Sequence, residues 1–272
     1  MLNFTNKGGK QIAKIVGGSY DGEIISANGE GFLDKKNSFN ELHLKGDAKF
    51  VQIPDPKIRP VLYITGPSGA GKSTYCKNFA KEWLKQNKKG EIFVFSSLKD
   101  DESLDEIKKL SRIKLDESLF DDPIDIDDLK DSLCIFDDID VINNKKIRSA
   151  VYSILDQCLE IGRHSNIGVL VTNHMATGGN STKRSLNECQ TITFFKGTNT
   201  YGLKYLTEKY LGISKEQLKY IKKLKSRWIT VFKNYPETVL AERDIYTLNQ
   251  DSEDEYESEP EPEPKKKKSV KK

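Results

Sequence analysis

Val61–Thr74, VLYITGPSGAGKST, constrains this chain more than any other stretch. Four β-branched, aliphatic and aromatic residues, Val61 to Ile64, run straight into Gly66-Pro67-Ser68-Gly69-Ala70-Gly71-Lys72-Ser73, which matches GxxxxGK[ST]. A helix-compatible segment, Thr74 to Gln86, follows. The order strand, glycine-rich loop, helix builds an anion cradle: glycines let backbone N–H groups turn inward, and the helix presents its positive end to the same anion. Residues Gly66 to Thr74 are therefore the expected nucleotide contacts. Lys72 would reach the β- and γ-phosphates and the Ser73 hydroxyl would sit on Mg²⁺.

At 272 residues, of which about 250 look foldable, the chain fits one α/β domain with an appendage, or at most two small domains. The net charge of +3 sums opposed regions. Asp100 to Asp140 carries sixteen acids against five bases, and Lys196 to Arg243 eleven bases against four acids. The four cysteines form no CxxC pair and read as reduced core residues of an intracellular protein. His43, His164 and His174 make no Cys/His cluster, which argues against zinc. No apolar run reaches membrane-span length and the first residues lack a signal-peptide h-region.

Three spans are expected. Residues 1–55 are glycine-rich and broken, with short alternating pieces that read as a small β-hairpin layer. Pro54, Pro56 and Pro60 stiffen the approach to the core, which occupies 56–248. From residue 249 onward, Glu-Pro repeats and a lysine run make a tail too charged to bury a core, expected to be disordered and weakly compatible with nuclear import or nucleic-acid contact. Within the core, buried strands are expected at Ile92–Ser96, Leu133–Phe136, Ile167–Val171, Thr191–Phe195 and, last, Trp228–Phe232. A short helix is expected around Leu104 to Leu110, with loop from there to Asp131. Helices are expected from an Asn144 cap to about Gly162, over Leu203–Leu211 and over Lys215–Leu224, and a loop at 178–182. Apolar strands alternating with helices imply a mainly parallel sheet covered on both faces.

Asp137 and Asp138 end the apolar strand Leu133–Phe136. Asp137 would hold Mg²⁺ and Asp138 would orient or deprotonate the attacking water, the competing reading being that Asp138 caps the next turn. A further strand, Ile92–Ser96, lies in sequence between the loop and this pair, and the NKxD of GTPases is absent. Both favour ATP hydrolysis over small-molecule phosphorylation. In a parallel sheet Thr172-Asn173-His174 would reach the same edge, with Asn173 or His174 as γ-phosphate sensor. Arg163 and Arg184 are the candidates for a finger reaching a neighbouring subunit's nucleotide.

GPSGAGKS, LCIFDD, EIGRHSNIGVLVTNH, SLNECQTITFF and SRWITVFKNYPETVL together resemble the DNA-packaging ATPases of nucleocytoplasmic large DNA viruses, poxvirus-type members of the FtsK–HerA superfamily, over roughly Pro60 to Leu240. The resemblance implies a RecA-like P-loop core and a ring-forming homo-oligomer that uses ATP and Mg²⁺ to pump viral double-stranded DNA into a capsid or membrane precursor. It also implies capsid or virion assembly partners and residence in the cytoplasmic viral factory and the virion. By motif, Lys72 and Ser73 carry over as nucleotide and Mg²⁺ contacts, Asp137 as the metal-side acid and Asp138 as the catalytic acid. Asn173 stands where such proteins often have glutamine. Lys222, Lys223, Lys225 and Arg227 are candidate DNA-phosphate contacts, or else a solvated helix face. Two other classes stay open: a helicase or AAA+-type remodeller, and a virion structural protein that holds ATP without turnover.

Overall fold

The glycine-rich loop grows out of a strand buried on both faces, and the rest of the sheet assembles around that strand. The computed structural model describes residues 1–4, 9–28, 38–198 and 200–248; the charged tail lies outside them. In chain order the strands are β1 (Leu2–Asn3), β2 (Lys10–Val16), β3 (Ile24–Ala27), β4 (Ser38–Phe39), β5 (Glu41–His43), β6 (Lys49–Gln52), β7 (Val61–Thr65), β8 (Glu91–Ser96), β9 (Leu110–Ile113), β10 (Ser132–Asp137), β11 (Gly168–Asn173), β12 (Thr191–Phe195), β13 (Trp228–Phe232), β14 (Thr238–Ala241) and β15 (Asp244–Thr247). The helices are α1 (Lys72–Gln86), α2 (Ser118–Asp121), α3 (Lys145–Glu160), α4 (Asn180–Glu188), α5 (Thr200–Tyr210) and α6 (Lys215–Lys223).

A ten-stranded sheet runs β5-β15-β14-β13-β12-β7-β11-β10-β8-β9. The strands from β12 to β9 are parallel, and an antiparallel meander, β13 to β15 closed by β5, extends it. Parallel strands must be covered on both faces. One face packs against α1 through Tyr75, Cys76, Phe79, Ala80 and Trp83. The other packs against α3, where Ile147, Val151, Ile154, Leu155 and Cys158 recur at helical spacing. The Asn144 side chain accepts from the amides of Lys146 and Ile147, capping α3 as its sequence implies. This is the mixed α/β architecture of a RecA-like P-loop core.

A five-stranded sheet, β4-β1-β3-β2-β6, is drawn from the glycine-rich N-terminal span. Its Leu2, Ile12, Ile15, Ile25 and Phe50 join the same buried cluster as Leu62, Ile64 and the apolar face of α1. Glu41–His43 leaves that sheet to pair with β15 at the edge of the large one.

Several segments differ from the sequence expectation. Leu104–Leu110 is a 3₁₀ turn leading into an edge strand, β9, because Leu110 and Ile113 pack beside β8 instead of onto a helix face. Residues 180–182 of the expected 178–182 loop are the start of α4, and Trp228–Phe232 is followed by two further strands.

Candidate active site

The loop is shaped by its glycines and by one neighbouring ring. Gly69 and Gly71 take positive φ, +72° and +107°, which glycine adopts without the cost a side chain imposes. A Cβ on Gly66 would lie 2.7 Å from the Cβ of Phe195 at the end of β12. α1 starts directly at Lys72, so its free amides face the loop. The loop forms one wall of an open cleft; Leu98, Asp101, Glu102 and Ser103 form the other, and Asp137 and Asp138 its floor.

Lys72 is 6% exposed. Its ammonium donates to the carbonyl oxygens of Gly66 (3.0 Å) and Pro67 (3.5 Å), lies 3.5 Å from His174 Nδ1 and stands 3.3 Å from Asp138 Oδ1. His174 Nε2 is 3.1 Å from the other Asp138 oxygen. Because an ammonium only donates, its approach assigns the acceptor role to Nδ1 and places the imidazole proton on Nε2, facing the carboxylate.

Asp138 adopts a left-handed conformation, φ 47° and ψ 42°, uncommon for a residue with a side chain. Thr172 holds it there. The Thr172 hydroxyl accepts the Asp138 N–H (2.9 Å) and points its own proton between Asp137 Oδ1 (2.9 Å) and Asp138 Oδ1 (3.1 Å). Ser96 donates to Asp137 Oδ2 at 3.3 Å. Burial, then the charge of Asp138, raises the Asp137 carboxyl above its ordinary range, and burial also raises Asp140.

The cleft thus sets the carboxylates of Asp137 and Asp138 against the one ammonium of Lys72, an excess of negative charge. Among the described residues no set of three or more His, Cys, Asp or Glu could hold a metal unaided. The Ser73 hydroxyl and the buried Asp137 carboxylate, both lining the cleft, are the hard oxygen donors that Mg²⁺ takes when substrate phosphates complete its shell. The site fits that ion.

The structure therefore brings together Gly66–Thr74, Asp137, Asp138 and His174. It does not bring in Asn173. Successive residues of β11 face opposite sides of the sheet, so Thr172 meets the acids while Asn173, 2% exposed, turns to the α3 face and donates to the Tyr63 hydroxyl at 3.0 Å. The expected sensor position is a core contact in this arrangement, and Thr172, which the sequence reading left without a role, is the residue that binds both acids. Arg163 lies ahead of β11, at the amino edge of the sheet. The six-residue strand alone puts about 20 Å between it and the loop. Arg184, on α4, pairs with Asp156 (2.6 Å) and Glu160 (3.2 Å) of α3.

Comparison with known proteins gives four findings. A family model described as RNA helicase matches residues 62–163, which contain the loop and the acid pair. The chain is 41% identical over 252 residues to the uncharacterized protein V3 of Sputnik virophage, covering 91% of this chain and 100% of that protein. Among solved structures it is similar to the pCW3 conjugation coupling protein TcpA with ATPgS, at TM-score 0.50 and 12% identity over 86% of this chain and 77% of that one. It is also similar to the genome packaging NTPase B204 from Sulfolobus turreted icosahedral virus 2 with AMP, at TM-score 0.47 and 17% identity over 70% of this chain and 98% of that one. At such identities the likeness to TcpA is one of fold.

Proposed function

The chain belongs to the family of Sputnik virophage protein V3, and we propose that it is an ATP-hydrolysing motor that translocates viral double-stranded DNA into a capsid, as a homo-oligomeric ring of the poxvirus-type, FtsK–HerA kind. The observation that carries the catalytic half is the Lys72–Asp138–His174 cluster at the carboxyl edge of the sheet. In this reading Lys72 binds the β- and γ-phosphates and Asp138 accepts a proton from the attacking water. His174 and Thr172 hold Asp138 in place. Ser73 and Asp137 hold Mg²⁺, which supplies charge neutralisation at the phosphates when bound.

Translocation is supported by the motif blocks and by charge. Residues 196–227 carry nine Lys/Arg against two Glu, a stretch suited to DNA phosphates. Arg163 makes no ion pair among the described residues, whereas Arg184 is held by two carboxylates. From the amino edge Arg163 can serve only a neighbouring subunit's nucleotide. Capsid or virion assembly proteins are the docking partners, and the viral factory in the host cytoplasm and the virion are the places of action.

The test is ATPase rate against double-stranded DNA concentration, with native mass measured in parallel. DNA-stimulated turnover by a ring supports the reading; turnover indifferent to DNA sinks the translocation half. The RNA helicase match favours a second reading, strand separation, which unwinding of a forked substrate would identify.

A further inference from the structure

Among the described residues the most exposed large apolar side chain is Tyr201 of α5, 80% open to solvent, and Tyr205, one turn further on, is 43% exposed. Lys204 and Lys209 are exposed on the same helix, whereas Leu206 and Thr207 are buried. At 3.6 residues per turn, positions 201, 205 and 209 follow one another along the outer face, with 204 on its flank. α5 thus turns two phenol rings and two ammonium groups outward as a single stripe. The helix is seated close to the phosphate site: a Cβ on Gly202 would lie 3.1 Å from that of Ala176, in the turn that follows His174.

We propose that this stripe binds a single strand of DNA, the rings of Tyr201 and Tyr205 stacking on unpaired bases while Lys204 and Lys209 take the phosphates. The inference rests on the DNA reading above. Rings set among ammonium groups suit a polyanion that also carries π faces. Spacing selects the strand over the duplex. Four residues of helix put Tyr201 and Tyr205 about 6 Å apart along the axis, wider than the roughly 3.4 Å between neighbouring bases of a stacked strand, so both rings can be covered only by bases that have come apart. The Tyr205 ring meets Tyr210 edge-on, centroids 6.0 Å apart, which fixes its orientation before a base arrives. Lys204 stands 3.8 Å from Glu208, an open surface pair worth little, which a phosphate can replace. A strand held on this face lies beside the turn that carries His174.

Fluorescence anisotropy of the full chain with labelled oligothymidylate, and with a duplex of equal length, tests this. Tyr201→Ala and Tyr205→Ala should each lower single-strand affinity about tenfold and leave duplex affinity and the salt dependence unchanged. Tyr201→Phe keeps the ring face and should bind as the wild type does. Lys204→Ala and Lys209→Ala should each flatten the plot of log affinity against log salt by about 0.7. ATP affinity should stay at the wild-type value in every variant, since none of these residues lines the phosphate cleft. Unchanged single-strand affinity in both tyrosine-to-alanine variants, or equal losses for strand and duplex, would overturn base stacking and leave the motor reading to stand on duplex-stimulated turnover. A lower native mass in those variants with DNA affinity intact would overturn it in favour of a contact between subunits. If the wild-type chain bound neither DNA, the translocation reading would fall and this inference with it.

Discussion

The ammonium of Lys72 lies 3.3 Å from one oxygen of Asp138, and the Nε2 of His174 lies 3.1 Å from the other. The phosphate-binding cation and the proposed general base are thus parts of one hydrogen-bonded cluster.

Lys72→Ala should abolish nucleotide binding, because the ammonium is the fixed counter-charge for the phosphates. Asp138→Asn keeps the size but not the basicity, so it should retain Mg·ATP and lose about 10²- to 10⁴-fold in kcat. Single-turnover kinetics beside binding isotherms would separate the two. An Asp137→Asn variant more damaged in turnover than Asp138→Asn, with metal affinity intact, would reverse the roles assigned to the pair.

Replacing His174 with alanine should lower kcat by about tenfold or more, toward the range of lost acid–base assistance, while leaving KM for ATP close to wild type. Asn173→Ala should behave oppositely. It removes one buried hydrogen bond to Tyr63 and should cost about 1 kcal/mol of stability, read from the urea midpoint, with turnover near wild type. A large loss of kcat in Asn173→Ala without loss of stability would restore the sensor role to that residue.

The finger assignment is tested by mixing. Arg163→Ala subunits keep an intact phosphate loop, and Lys72→Ala subunits keep an intact Arg163. Each alone should lose about 10³-fold or more in rate if the group stabilises transition-state charge in trans, and verified mixed rings should regain part of it. Mixed rings that stay inactive would leave Arg163 a surface residue and require Arg184 to leave Asp156 and Glu160.

Asn144→Ala removes the side chain that caps α3 through two amides. It should cost about 1 kcal/mol and lower Tm by about 2–4 °C, as scanning calorimetry would show, with ATP affinity unaffected.

Much of this was legible because local chemistry and global position agree. Gly69 and Gly71 are needed for backbone conformations set within the loop itself, and Asn144 sits three residues before the first residue of an apolar stripe of the right period. α4 was not legible: within NSTKRSLNE only Leu186 is a large apolar residue, so the segment carries no amphipathic signal until it docks on α3. β9 was read mostly as loop because its apolar residues, Leu110 and Ile113, lie three apart and give no alternating signal, while Leu104, Ile107 and Leu110 share that helical spacing. The orientation of Asn173 is subtler. Strand alternation separates Thr172 from Asn173, but which of them faces the acids depends on which side of the sheet α1 packs, a relation set across more than a hundred residues of chain.

Phe195 lies against the position where Gly66 would carry a side chain, and its ring touches that of Gly71. The demand for hydrogen at Gly66 therefore comes from the packing of β12 as much as from any phosphate. Selection for a foldable chain would preserve that glycine even in a descendant that had given up hydrolysis, whereas Asp138, held in a strained backbone conformation by Thr172 and His174, would be free to drift as soon as its chemistry ceased to matter.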